Sequence, residues 1–481
     1  MKVRALASLF VLRCVLGGSI AAAETEARIA NGPAPLVDDS TPAAAPAPAP
    51  LLLRRSYALT AIESVGVLAG MNIGAQLIGK HYAKISFKSI ATNFRTDWAW
   101  DEDAFTTNNF GHPYQGTLYY QTARTNGLGL LGSAIVTYLD SFVWELVMET
   151  EIPSLNDQIV TPAAGILLGE ALHRWSRAIR YTPTGERPGA LRTVFSTLLE
   201  PLGTVNRLAF GEAWRLTPPP PSFGFVAAGF DGLAVTFDEG NGSKVLARTN
   251  LIHGALAYTY GLPASPEYTP RGPFDHFDAR VEGAVSPDEY FASLRLRTLL
   301  YGWSYCAGSR LRGVWGAFGA YDFENPERVR ISAAAVGVGT TLHLDIGERG
   351  FLQSTGTVNF IPYGSAGGDV PGNSDRDYHR GPGSSQLLEV RLGYAGLGLF
   401  RLTGAAYEID GARFQEGSEI LTLTRLEALW GFAEHHAIGV GADFGTRRAR
   451  FPDMPALTDR SAHVSVFYAL IQDRAFGGHR R

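Results

Sequence analysis

Cysteine is nearly absent from this chain. Only 2 occur in 481 residues. One is Cys14, inside an apolar leader, so a single thiol, Cys306, remains after processing. An intramolecular disulfide and a cysteine-based zinc site are both excluded. Charge is also scarce: 18% of residues are charged and the formal net charge is -4. That leaves no strong basic field to attract nucleic acid or anionic lipid. No G-x-S-x-G elbow is present to fix a serine nucleophile. Glycine strings such as Gly337-Val-Gly339 precede no helix and are not phosphate loops. What is plentiful is glycine itself, at 55 residues, as suits a barrel whose bends need small residues.

The chain divides by composition. Residues 1–23 carry Lys2 and Arg4, an apolar core and a small-residue site at Ala21-Ala22-Ala23, the pattern of a removable export signal. Arg13 before Cys14 argues against a lipoprotein site. Residues 24–50 are rich in alanine and proline and form an extended spacer, a passive tether or a docking strip. Residues 51–216 read as a helical domain. Their first segment, 58–79, is long enough to cross a bilayer, but Glu63, Asn72 and Gln76 point to burial against protein. Pro113 marks a helix start, a hairpin breaks at Gly127-Leu128-Gly129, and Ser154 or Thr161-Pro162 begins a third helix. Thr217-Pro-Pro-Pro-Pro221 is a stiff boundary.

After it the period becomes two. Leu388, Val390, Leu392 and Tyr394 alternate with Glu389, Arg391 and Gly393; Val464, Val466 and Tyr468 alternate with His463, Ser465 and Phe467. One apolar and one polar face, repeated over about twelve strands from 222 to 471, predicts a mainly β fold. The expected architecture is an antiparallel outer-membrane β-barrel with the helical domain packed in or beneath it and a tail, 472–481. Tyr258, Tyr260, Trp303, Tyr305, Tyr321, Phe323 and Tyr363 lie near strand ends, as interfacial girdles require. A soluble β-sandwich or lipocalin-like barrel is the competing fold; there the arginines would face outward.

The string Asn109-Phe-Gly-His112-Pro113-Tyr114-Gln115-Gly116, followed by Ala123-Arg124, Trp144-Glu145, Glu149, Pro153-Ser154, Asn156-Asp157 and Gly169-Glu170, resembles a bacterial outer-membrane family known only as a domain of unknown function. The resemblance runs from Thr96 to Arg207. It implies the outer membrane and carries no activity.

Polar residues inside apolar helices are the functional clue, because a buried charge must be paired, neutral or bound. His112, Glu145 and Asp157 are catalytic candidates. Arg124, Glu149, Asn156, Glu170 and Arg207 are candidates for a binding or polar network. A lipid hydrolase would use His112 as base, Ser133, Ser141 or Ser154 as nucleophile, and Glu145 or Asp157 as orienter. Glu170-x-x-His173 has a di-metal spacing, but the motif occurs once where that chemistry uses it twice; no metal and no cofactor are expected. The simpler expectation pairs Glu145 and Glu149 with Arg124 or Arg174. Arg447-Arg448-Ala-Arg450 reads as a solvated loop edge or a lipopolysaccharide contact, and Phe274-Asp-His276-Phe277 as a turn.

The expected role is passage of a solute or lipid, or envelope upkeep. The alternatives are a membrane-embedded lipid hydrolase using His112 and a structural docking protein. Expected partners are outer-membrane lipid and the barrel-assembly machinery, without nucleic acid.

Overall fold

The fold is read from a computed structural model that describes residues 55–100, 103–211, 216–238, 244–263, 268, 270–287, 290–326, 329–367, 378–411, 417–452 and 455–478. The export signal and the Ala/Pro spacer lie outside the described residues.

Twelve antiparallel strands close into one barrel. They are β1 Ser222–Asp238, β2 Lys244–Tyr260, β3 Phe277–Val285, β4 Tyr290–Ala307, β5 Leu311–Glu324, β6 Arg330–Ile346, β7 Gly350–Gly367, β8 Tyr378–Tyr394, β9 Gly398–Asp410, β10 Ser418–Ala433, β11 His436–Arg450 and β12 Leu457–Ile471. Strand β1 completes the circle on β12, with Phe225 opposite Ile471 and Thr236 opposite Arg460. Closure pairs every backbone ladder and leaves no edge. Short turns at 308–310, 347–349, 395–397 and 434–435 share one end with the start of β1 and the end of β12. Short turns mark the periplasmic end of such barrels; the β2–β3 connection, 261–276, lies at that end too and is the long one there.

Alternation decides what each face meets. Arg297 and Arg391 point into the lumen and are buried with carboxylates, and Arg295 is half-buried beside Glu324. Their neighbours Leu388, Leu392, Val464 and Val466 are exposed on the outer wall. Arginines inside and aliphatics outside is the membrane arrangement, and it rules out the soluble barrel. The chain is an outer-membrane β-barrel. Around the periplasmic rim, Trp303, Trp315, Tyr394, Trp430, Phe432 and Tyr468 stand exposed, where amphipathic rings meet headgroups.

The helical domain comprises α1 Tyr57–Leu77, α2 Phe87–Asn93, a π-helical turn Thr107–Gly111, α3 His112–Arg124, α4 Leu130–Val143, a second π-helical turn Trp144–Met148, α5 Leu155–Arg180, α6 Ala190–Leu199 and α7 Pro201–Phe210. It packs neither inside the barrel nor beneath it. It lies along the outer wall. Tyr258, Phe277, Leu294, Leu296, Tyr321 and Phe323 are buried against Phe105, Leu167, Leu168, Ala171 and Trp175 of the helical domain. All six wall residues belong to the outward-facing set. Of the rings expected in a girdle, Tyr258, Tyr321 and Phe323 are covered by helix, and Trp100 stacks on Tyr363 at 5.2 Å. The reason is competition for the same apolar face: a ring on the wall can be buried by lipid or by a helix, and sequence alone does not distinguish them.

Helix α5 is the spine of the docking. Its 26 residues span about 39 Å, enough to follow the wall from rim to rim. The Ser154 hydroxyl caps it by accepting from the Asp157 N–H at 3.2 Å, so the helix starts at Ser154 and not at Thr161-Pro162. Asp157 in the first turn and Arg177 and Arg180 in the last suit the helix dipole. At the outer end Tyr321 Oη donates to the Asn109 carbonyl at 2.6 Å. In mid-wall a Cβ on Gly319 would sit 2.8 Å from Leu167 Cδ2, so the missing side chain admits the helix. At the periplasmic end Trp175 stacks on Tyr258 at 4.6 Å. Each such ring pair is worth about 0.5–1.5 kcal/mol beyond its buried area.

Within the domain α3 crosses α5 at backbone contact. A Cβ on Gly116 would fall 2.0 Å from the Thr161 carbonyl oxygen, and one on Gly165 2.5 Å from the Gly116 carbonyl carbon. Helix α1, expected to be buried, packs one face on Tyr119 and Trp144. It leaves Ile62, Val65, Ile73 and Leu77 exposed. It and Leu130–Met148 are long and apolar enough to cross a membrane, and their bare faces stand beside a wall built for lipid.

Two outcomes follow. The full-length protein should appear in the outer-membrane fraction as a band whose gel mobility changes on boiling; unshifted mobility would contradict closure. Gly165→Leu should cost at least about 1–3 kcal/mol by overpacking. It should expose the helical domain to limited proteolysis while the heat-modifiable barrel persists.

Candidate functional site

The sequence candidates fall into two clusters separated along α5. Asp157 and Glu170 are thirteen residues apart on this helix, about 20 Å at 1.5 Å per residue. They cannot serve one reaction centre.

The outer cluster forms where α3, the second π-helical turn and α5 meet. His112 Nε2 lies 3.7 Å from Asp157 Oδ2, and Asn156 Nδ2 donates to Asp157 Oδ1 at 3.0 Å. Glu145, buried in the turn, accepts the Ser154 backbone N–H at 2.7 Å. His112, Asn156 and Asp157 are therefore brought together, and Glu145 is linked to them through Ser154. Ser154, proposed as a nucleophile, serves as the α5 cap. Ser133 and Ser141 are buried on α4. Glu149 accepts from Trp144 Nε1 at 3.1 Å.

The inner cluster is an ion-pair network. Glu170, fully buried, accepts from Arg124 Nε at 2.7 Å, Arg174 Nε at 2.9 Å and Tyr120 Oη at 2.6 Å. Arg124 and Arg174 thus pair with Glu170, not with Glu145 or Glu149 as expected. Arg174 continues to Asp275 at 2.8 Å and to the Pro273 carbonyl at 2.8 Å. The Phe274–Phe277 stretch is more than a turn: Asp275 clasps the helical domain, and His276 is buried with Nδ1 2.9 Å from the Gly261 carbonyl oxygen. Beside it, Glu200 between α6 and α7 meets His173 Nδ1, Ser176 Oγ at 3.0 Å and Arg207 Nη1 at 3.1 Å. Glu170 and His173 are each engaged elsewhere, and among the described residues no group of three His, Cys, Asp or Glu is arranged to hold a metal.

Sequence reasoning missed the third polar region, the lumen. Arg280 pairs with Glu282 and Glu427, Arg425 with Glu282 and Asp443, and Arg391 with Asp278 and Glu389. Arg297 grips Asp322 at 2.6 and 2.7 Å, and Arg295 reaches Glu324 at 2.6 Å. The signal was present in the inward positions, but the network is closed by partners both near and far: Glu282 is two residues from Arg280, and Glu427 is 147. Arg447 is neither a loop edge nor a lipid contact. It is fully buried in the lumen between Glu419 and Asp459, each at 2.6 Å.

Apolar layers close the lumen on either side. At the periplasmic end Phe225, Phe351, Phe467, Leu399 and Leu429 pack with Phe476 of the tail. That tail is laced across the mouth: Arg474 donates to the Gly431 carbonyl at 3.0 Å, and the Gln472 N–H to the Gly224 carbonyl at 2.9 Å. Toward the outer end Ile331, Ile361, Tyr407, Ile409 and Leu421 form a second apolar layer.

Residues 97–202 match the model of a family described as a domain of unknown function (DUF3943). That span covers the outer cluster, the inner cluster as far as Glu200, and α3 to α6. No curated protein matches the chain. Among solved structures the chain is similar to the COG4313 outer membrane channel from Pseudomonas putida F1, with 11% identity over 53% of this chain and 96% of that one at a TM-score of 0.28. It is also similar to the NanC porin, with 9% identity over 49% and 98% and a TM-score of 0.27. The translocator domain of the autotransporter NalP from Neisseria meningitidis shares 13% over 51% and 88% at 0.23. Likeness at this level says nothing of what any of them shares with this chain in function.

Glu170→Gln should cost about 3–5 kcal/mol, because it strands two arginines already withdrawn from water. Thermal unfolding of the helical domain measures it. Glu149→Gln, which leaves no guanidinium unpaired, should shift the same transition far less.

Proposed function

We propose that the protein passes a small polar solute across the outer membrane through the barrel lumen. The observation that supports this is the layer of inward arginines and carboxylates spanning the barrel's middle, in a wall whose outer face is apolar. Polar groups of that density in a membrane interior mark solute paths. The apolar layers at either end make the path closed at rest, since a hydrophobic constriction excludes water and ions. The Phe476 tail is the movable closure at the periplasmic mouth. In this reading the helical domain is a lateral brace in the lipid, not a plug. Outer-membrane lipid around wall and helices, and the barrel-assembly machinery during insertion, are the partners it requires.

The test is solute flux into proteoliposomes. Flux through the native protein should be low, and Phe476→Ala combined with Arg474→Ala should raise it several-fold. Absence of flux from both, with the heat-modifiable barrel intact, would overturn the proposal.

A second reading rests on the outer cluster. His112, 3.7 Å from Asp157, stands beside the lipid-facing helices, where a base acting on lipid would be placed. His112→Ala should then change cellular lipid species without altering barrel assembly; unchanged lipid would remove the hydrolase reading.

A further inference from the structure

The middle of the lumen encloses a cavity of about 30 Å³ lined by Arg280, Arg295, Arg297, Arg391, Arg401 and Arg425. The carboxylates that line it with them are Asp278 and Glu389, and both are held by Arg391. Glu282, Glu427, Asp322, Glu324 and Asp443 pair with the other arginines and stand outside the cavity lining. Six of the fourteen lining residues are thus arginines, and His276, Gln353, Thr355, Thr403, Phe318 and Leu387 complete the wall.

Arg401 differs from the other five. It is 2% exposed and has no ion-pair or hydrogen-bond partner among the described residues. Its register makes this costly. Arg401 lies directly opposite Arg391 on β8, a like-charge pair across a ladder, which destabilises a sheet. On its other side it faces Glu427, whose Oε2 is engaged by Arg280 and whose Oε1 is buried without a hydrogen bond, so that carboxylate attracts Arg401 without bonding it. A charged group withdrawn from water and set beside a like charge requires an acceptor.

The same lack recurs around the cavity. Arg401 Nε, Arg280 Nη1, Arg297 Nε and Arg425 Nη1 are all buried without an acceptor among the described residues. The four belong to arginines on four strands that line the same small space. A planar oxyanion answers this chemistry, because guanidinium groups bind carboxylate through paired, charge-assisted hydrogen bonds. The volume is about two to three times what one water needs, and so it limits the ligand to a single small group.

We infer that Arg401 is the docking group of an anion site at the centre of the lumen that takes one carboxylate group of a small organic acid. The inference rests on the lumen being the solute path and names the solute class for it.

Acetate is the probe, and the full-length protein in detergent micelles is the sample. The temperature at which the compact, heat-modifiable form is lost is followed against acetate, with chloride at the same ionic strength as reference. A ligand that binds only the folded form raises this temperature. The wild type should shift upward with acetate relative to chloride. Arg401→Gln should need at least about tenfold more acetate for the same shift, a loss of about 1.4 kcal/mol. Arg401→Lys, which keeps the charge and loses the fork, should fall between them and serves where the glutamine variant does not fold. An equal response in wild type and variants, or equal effects of acetate and chloride on the wild type, would overturn the site. Because binding is read without flux, acetate binding with no flux of any solute would defeat the passage reading alone. Flux without acetate binding would defeat this inference alone.

Discussion

Closure of β1 on β12 is the constraint from which the rest descends. Once the sheet has no edge, every strand residue belongs to the lumen or to the outer wall, and adjacent residues belong to opposite ones. Arg391 and Leu392 cannot share an environment. The lumen must take arginines in pairs with acids, because a lone buried cation is costly. The wall must be apolar wherever neither water nor protein covers it.

The helical domain is a consequence of that wall. Tyr258, Phe277, Tyr321 and Phe323 form an apolar strip that either lipid or protein can cover, and α5 covers it. Leu167 enters over Gly319, and Asp275 reaches out from the periplasmic connection to hold Arg174. The domain's own polar residues are then turned inward, toward one another. Glu170 with its two arginines, and Glu200 with His173 and Arg207, satisfy charges inside a bundle whose outer faces carry Ile62, Val65 and Leu139. A polar interior with an apolar exterior repeats, in helices, the arrangement of the barrel beside it.

Much of the fold was legible in the residues. Period two from Ser222 onward led to twelve strands, since alternation survives any partner. The Ser154 cap was legible because capping is local. The candidates His112 and Asn156 do meet Asp157, and Glu145 is tied to them through Ser154. What was not legible is pairing at a distance. Glu145 and Glu149 stand one helical turn apart and near in sequence to Arg124, yet both nearby arginines turn to Glu170, which lies across the α3–α5 contact. Arg447 looked like a surface residue because its neighbours Arg448 and Arg450 share its charge. Alternation alone puts Arg447 inside, and only the register with Glu419 and Asp459 shows what neutralises it.

The sequence by itself determined the periodicities: which residues share a face, where helices begin, and that one face of each strand must avoid water. Those are properties of the chain's local geometry and of side-chain transfer energies. Tertiary structure alone decided the partners. Whether an outward ring meets lipid or helix, and whether an inward arginine finds its carboxylate on the next strand, as Arg297 finds Asp322, or across the barrel, as Arg280 finds Glu427, depends on register and closure. Local patterns carry no information about that register, because many pairings satisfy the same alternation and closure selects one.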